Sequence, residues 1–134
     1  MKYMLDTNIC IYTIKHQPVS VFKKFMSLEP GDACISSITL SELMYGVYKS
    51  HHPQKNQAAL AEFVSPLDIM PFDDEAAEHY GHIRAHLEKK GTPIGALDLL
   101  IAAHARRLNS ILVTNNKKEF SRVPGIKIED WVQQ

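Results

Sequence analysis

The sequence predicts an α/β three-layer sandwich, a central parallel sheet with helices on both faces. Short apolar runs of strand length recur at Tyr3–Leu5, Ala33–Ser36, Asp68–Met70 and residues 110–113. Longer stretches between them carry apolar residues at helical spacing. Turn and cap residues such as Pro18, Pro30-Gly31, Pro53 and Pro66 mark the joins. Strands that alternate with helices imply parallel pairing, because a parallel partner is reached only through a crossover long enough to hold a helix.

Taken in order, Tyr3–Leu5 runs into Asp6-Thr7-Asn8, after which Ile9, Cys10, Ile11 and Ile14 switch to helical spacing. A second helix is expected over residues 19–28. After the strand Ala33–Ser36, any of Ser36, Ser37 or Thr39 suits the cap of a helix whose apolar stripe is Leu40, Leu43, Met44 and Val47. Pro53 opens the next helix, with Ala58, Ala59, Phe63 and Val64 as its inward positions. Beyond the strand Asp68–Met70, residues 74–90 form a long helix that ends in Lys89-Lys90-Gly91, cations and a glycine at the end that favours them. Following the turn Thr92-Pro93-Ile94-Gly95, Leu97, Leu100, Ile101, His104 and Leu108 make the last helical stripe. Residues 110–113 enter Thr114-Asn115-Asn116, and residues 126–131 add an edge strand and an aromatic plug, Trp131.

At 134 residues and 45% hydrophobic content, the chain suits a single domain, 1–134, without repeats, linkers or low-complexity segments. Fifteen basic and fifteen acidic side chains leave no net charge, which excludes a cationic nucleic-acid glue and requires any polyanion to be held by a local patch. Cys10 and Cys34 lack metal-site spacing and read as buried thiols of a reducing compartment. An acid arrives at Asp6 before any hydrophobic stretch of signal-peptide length, and no later run approaches membrane-spanning length. A cytoplasmic protein with no membrane association is the expectation.

In a parallel sheet, ligands bind beyond the carboxyl ends of the strands. Asp6 directly follows the first strand. Glu42 lies within about two turns of the start of the helix that leaves the second. Asp98 falls in the first turn of the helix that returns to the same edge, and Asn116 closely follows the strand after it. Singly, each has another explanation: Asp6 as a helix cap, Glu42 as a solvated helix residue, Asp98 as a favourable partner of the helix dipole, Asn116 as a turn asparagine. Jointly they deliver four oxygen-bearing side chains to one edge. Crowded carboxylates raise one another's pKa unless a cation separates them, and oxygen donors of this kind suit magnesium, with phosphate chemistry as the usual outcome.

The same residues carry a family likeness over essentially the whole chain. Met4-Leu5-Asp6-Thr7-Asn8, Ser36-Ser37-Ile38-Thr39, Ser41-Glu42-Leu43-Met44-Tyr45-Gly46, Gly91-Thr92-Pro93-Ile94-Gly95, Asp98-Leu99-Leu100-Ile101-Ala102 with His104-Ala105, and Val113-Thr114-Asn115-Asn116 with Glu119-Phe120 stand in one ordered series. The chain resembles the PIN-domain ribonucleases and, among them, the VapC-type toxins of type II toxin-antitoxin pairs. The resemblance implies the PIN-domain fold and an endoribonuclease dependent on Mg2+ or Mn2+, with Asp6, Glu42 and Asp98 as metal ligands. It also implies support from Thr7, Asn8 and Thr114. Many PIN domains carry a fourth acid where Asn116 stands here, which puts a second metal in question and makes Glu119 a partial substitute. The implied substrate is structured RNA, above all a tRNA, with the anticodon stem-loop of initiator tRNA favoured. The implied consequence is arrest of translation and growth. The implied partners are a cognate VapB-type antitoxin lying across the active-site groove, a second copy in a homodimer, and the larger toxin-antitoxin hetero-oligomer.

The expected chemistry is in-line attack of water on a phosphodiester, leaving a 3'-hydroxyl and a 5'-phosphate. Lys117, Lys118 and Arg122 are the foremost RNA-binding candidates, followed by Lys89-Lys90 and Arg106-Arg107. His79, His82 and His86 share a helix face but lack a fourth zinc ligand. A receiver domain would need paired early acids, and an aspartyl phosphatase an acid where Asn8 stands. The non-enzymatic alternative is a PIN fold, catalytically weak, that binds RNA or a protein.

Overall fold

The computed structural model describes residues 2–132, so Met1, Gln133 and Gln134 of the expected domain lie outside the described residues. Five strands, β1 (Tyr3–Leu5), β2 (Ala33–Ser36), β3 (Asp68–Met70), β4 (Ile111–Val113) and β5 (Lys127–Glu129), form one parallel sheet in the order β3-β2-β1-β4-β5. The first strand is therefore central. Its neighbours are set by the registers Tyr3 to Ala33 on one side and Tyr3 to Ile111 on the other. Successive crossovers build the sheet outward from β1 through β2 to β3, after which the chain returns to add β4 and β5 on the opposite side.

Side chains of a strand alternate between its faces, and here each face has its own core. Tyr3, Leu5, Ala33, Ile35 and Val113 pack with α1 (Thr7–Lys15), α2 (Val19–Met26), α3 (Ser37–Lys49) and α4 (Pro53–Val64). Met4, Cys34 and Leu112 pack on the other side with α5 (Asp74–Lys89), α6 (Ala96–Leu108) and the short α7 (Lys117–Phe120). That division is the three-layer sandwich read from the sequence. Cys10 and Cys34 are both buried, free thiols. Among the described residues, no helix is long and apolar enough to cross a membrane.

Three details differ from the sequence reading. On α4 the buried positions are Leu60 and Phe63, and Ala58 is exposed, because the helix rests on the α1–α3 surface through its bulkier side chains. On α6 the buried set is Leu99, Ile101, Ala102, Ala103, His104 and Ala105, whereas Leu97 is 45% exposed. This helix is covered by the sheet and by α5 together, so its small residues are enclosed as fully as its large ones. The four-residue α7 was unmarked, being too short to show periodicity.

The plug at the end of the sheet is Trp131, fully buried, its ring meeting Tyr3 edge-on at 5.4 Å while Nε1 donates to Glu129 Oε1 at 2.9 Å. Its polar atom is satisfied, so the burial is favourable throughout. Truncation by Trp131→Ala should cost about 3–5 kcal/mol in urea denaturation, and a loss below about 1 kcal/mol would show that the ring is not part of the core.

Candidate active site

Asp6 lies at the start of α1, immediately beyond β1, with 6% of its surface exposed. Its backbone N–H donates to Val113 O at 3.1 Å, and its Oδ1 accepts from Ile9 N at 2.9 Å as the cap of α1. The helix-cap reading is therefore true of this side chain, which also stands at the carboxyl edge of the sheet where a ligand was expected. β1 and β4 are adjacent strands from which the chain departs in opposite directions across the sheet, and the gap between their carboxyl ends is where α/β sheets bind ligands. Thr114, fully buried, follows β4 at that gap. Its hydroxyl bonds the Asp6 carboxylate and accepts from Asn116 N at 3.0 Å. The last strand adds another acid, because Asp130 follows β5 and its charge acts on Asp6.

Asp98 reaches the same place from the amino end of α6. That helix has no side-chain cap of its own at Gly95. Glu119, carried by α7, supplies one from outside: Oε1 accepts from Gly95 N at 2.6 Å, and Oε2 accepts from Asn116 Nδ2 at 3.1 Å. Glu119 is also hydrogen-bonded to Asp98. A carboxylate at a helix amino end is favoured by the unpaired N–H groups there, which is why this acid tolerates the company of another.

The electrostatics follow. Burial, then the charges of Glu119 and Asp6, push the Asp98 carboxyl up to about 6. Glu119 is held below the ordinary range by the Gly95 N–H and the Asn116 amide, so Asp98 is the partner that keeps the shared proton. Burial also raises Asp6, against the pull of Thr114 and the Ile9 N–H.

Asp6, Asp98, Asn116, Thr114 and Glu119 are thus brought together. Asn116 acts as a donor that orients Glu119, and Glu119 stands beside Asp98 as an additional acid. Glu42 takes no part in these bonds. It lies half-buried on α3, lining a groove with Ile11, Ile14, Leu43, Val47 and Leu60. Thr7 and Asn8 make no side-chain hydrogen bond among the described residues, and Asn8 is exposed. Lys117 stands 4.0 Å from Asp130, Arg122 Nη1 donates to Pro93 O at 3.1 Å, and Lys118 is exposed beside them. Away from the site, His79 and His82 each place Nδ1 against the Arg106 guanidinium, at 2.8 and 3.1 Å, so the histidine face serves α5–α6 packing.

Asp130 was not singled out from the sequence. It fell inside the segment 126–131 expected as edge strand and plug, and only the observed end of β5 at Glu129 gives it the placement that marked Asp6. Among the described residues, no three His, Cys, Asp or Glu side chains stand close enough to hold an ion unaided. The donors present are nonetheless all oxygens, and magnesium typically takes one or two carboxylates together with water and substrate phosphate. Asp6 and Asp98 meet that requirement.

The PIN domain family matches residues 3–126. The tRNA(fMet)-specific endonuclease VapC of Shigella flexneri is 52% identical over 131 residues, covering 98% of each chain. The DNA-bound VapBC structure from Salmonella typhimurium superposes with a TM-score of 0.92 at 50% identity, covering 98% of each chain. VapBC2 from Rickettsia felis, bound to a DNA fragment from its promoter, gives 0.89 at 45% identity, over 98% of this chain and 99% of that one. An acid cluster at the switch point of a parallel sheet, and likeness of this extent, lead to one conclusion: the chain belongs to the PIN-domain family and, within it, to the VapC ribonucleases.

Proposed function

We propose that this chain is the toxin of a VapBC-type pair, an endoribonuclease that depends on Mg2+ or Mn2+ and cuts tRNA, with the anticodon stem-loop of initiator tRNA as its substrate. The observation that carries the reading is the gathering of Asp6, Asp98 and Glu119 at the carboxyl ends of β1 and β4, where burial and the neighbouring charges push the Asp98 carboxyl up to about 6. Such a cluster is poorly matched to itself and well matched to a cation. The relatives named tRNA(fMet)-specific endonuclease support the substrate.

Asp6 and Asp98 would hold the ion, with Glu42 and Glu119 as further oxygen donors. A divalent ion there supplies a more acidic water and neutralises charge on the phosphoryl oxygens. The chain's own residues do the rest. The Thr114 hydroxyl and the Ile9 N–H fix the rotamer of Asp6. The Gly95 N–H and Asn116 amide keep Glu119 ionised and aimed at Asp98. Lys118, with Lys117 and Arg122, places positive charge beside the cleft for the RNA backbone, so binding would weaken steeply with salt.

For the antitoxin, support comes from the solved VapBC complexes and from the apolar groove of Ile11, Ile14, Leu43, Val47 and Leu60 that Glu42 borders, which suits an amphipathic helix. Homodimerisation rests on the family likeness. Arrest of translation and growth would follow from loss of initiator tRNA. One observation favours a second reading, a PIN-fold module that binds RNA or protein without cutting: Glu42 stands outside the hydrogen-bonded acids.

Antitoxin-free protein incubated with total cellular RNA should yield discrete tRNA fragments with magnesium and none with excess chelator. The new ends should be 3'-hydroxyl and 5'-phosphate, and a 2',3'-cyclic phosphate would refute the mechanism. Asp6→Ala should lower the rate by on the order of 100-fold or more, since the ion's contribution is several kcal/mol. RNA bound but intact in every lane would establish the binding module.

A pH test follows from Asp98. Its folded pKa lies above its ordinary value, so in metal-free protein the acid is more readily protonated folded than unfolded. Its contribution therefore turns unfavourable as pH rises through that interval to about 6. Asp98→Asn should have the higher Tm in chelator above pH 6, with the difference shrinking as pH falls toward 4. Magnesium at pH 8 should raise the Tm of the native protein and leave the variant unchanged. A variant that is less stable at pH 8, or a difference independent of pH, would overturn the assignment.

A further inference from the structure

His104 is 1% exposed, six residues beyond Asp98 on α6, and the acid cluster makes no use of it. Its Nδ1 lies 2.8 Å from Ser36 Oγ, itself fully buried at the end of β2. The ring also bonds the backbone of Pro71. Proline has no N–H, so Pro71 offers only its carbonyl, and the ring must donate to it. With Nδ1 engaged by Ser36, the donor is Nε2–H. The neutral tautomer then leaves Nδ1 as an acceptor, and Ser36 Oγ–H donates to it. The Ser36 oxygen in turn accepts from Ile38 N at 3.1 Å, as the cap of α3.

Every hydrogen-bonding group in this chain is thereby satisfied, and the chain crosses three elements. Pro71 lies just past β3, Ser36 joins β2 to α3, and His104 belongs to α6. A parallel tie, Phe72 N donating to Ser37 Oγ at 3.1 Å, reinforces the same corner, and the Phe72 ring packs edge-on against the imidazole at 5.5 Å. The two helices joined here carry different acids. Glu42 lies five residues into α3 from Ser37, about 8 Å along its axis, and Asp98 is in the first turn of α6.

We propose that His104 is a positioning residue for the metal site: as a neutral Nε2–H imidazole strung between Pro71 and Ser36, it fixes α6 against the corner where β2 meets α3, and with it the place of Asp98 at the carboxyl edge of the sheet. This rests on the metal-dependent reading above. Hydrophobic packing alone does not account for it, because a leucine would fill the volume and leave the Pro71 carbonyl without its donor and the Ser36 O–H without its acceptor.

Three variants test it, His104→Asn, His104→Leu and Ser36→Ala, compared by Mn2+ affinity from electron paramagnetic resonance and by the metal concentration giving half-maximal RNA cleavage, well below each Tm. Asparagine restores an acceptor for the Ser36 hydroxyl but does not reach Pro71, so it should recover only part of the loss, whereas leucine should weaken Mn2+ binding by on the order of 10-fold, the usual range for groups supporting a ligand. Ser36→Ala should move them in the same direction, and it decides the matter should the leucine variant fail to fold. The ring nitrogens of His104 should show the Nε2–H pattern in 15N NMR at pH 7. Folded leucine and alanine variants with native metal midpoints, a protonated or Nδ1–H ring, or a native protein that binds no Mn2+ would overturn the proposal. Native protein that binds Mn2+ and shows these shifts but cuts no RNA would leave the strut standing and remove the nuclease reading instead.

Discussion

Carboxylates withdrawn from water beside one another must be held together by something other than mutual attraction, and the structure supplies that something from its backbone. Asp6 takes an N–H from the first turn of α1, and Glu119 takes that of Gly95, the cap position of α6. Both helices begin at the carboxyl edge of the sheet with donors that lack helical partners, so the acids satisfy groups that would otherwise be unpaired. Side-chain donors complete the arrangement: Thr114 on Asp6 and Asn116 on Glu119. Compensation still falls short at Asp6 and at Asp98, and their raised pKa values record the deficit that a cation would relieve.

The sheet order explains why these pieces meet. Because β1 is central and the chain changes direction between β1 and β4, the two strand ends stand open to a ligand instead of being bridged by one connection. Helix α6 returns Asp98 to that opening, and the turn after β4 brings Asn116 and α7. Away from the edge, the cores on the two faces keep strands and helices in fixed relation, and α6 is enclosed on more than one side because its own alanines permit close approach.

Much of this was legible in the residues. The alternation of apolar runs and helical stripes identified the parallel sheet, and acids at strand ends or first helical turns marked Asp6 and Asp98. Other features required the third dimension. Strand order is a matter of long-range pairing and leaves no local periodicity, so the adjacency of Asp6 and Thr114 could not be read directly. The capping of α6 by Glu119 joins residues 24 apart in sequence, and nothing near Gly95 announces it. Ala58 and Leu97 were misassigned because helical spacing defines a stripe without saying which neighbours cover it. His104 was expected in the core, and it is there, but its partner Ser36 lies 68 residues away.

The pairing of Tyr3 with Ile111 also has a consequence for how the molecule comes into being. These strands are separated by most of the chain, so their union closes a very long loop, a contact that weighs against rapid folding and forms only when intervening structure has shortened the search. Asp6 and Thr114 face each other only after that closure. Until then α1 to α4 on β1 and β2 carry one half of the cleft and lack Thr114, Asn116 and Glu119, so the cleft is complete only once β4 lies beside β1.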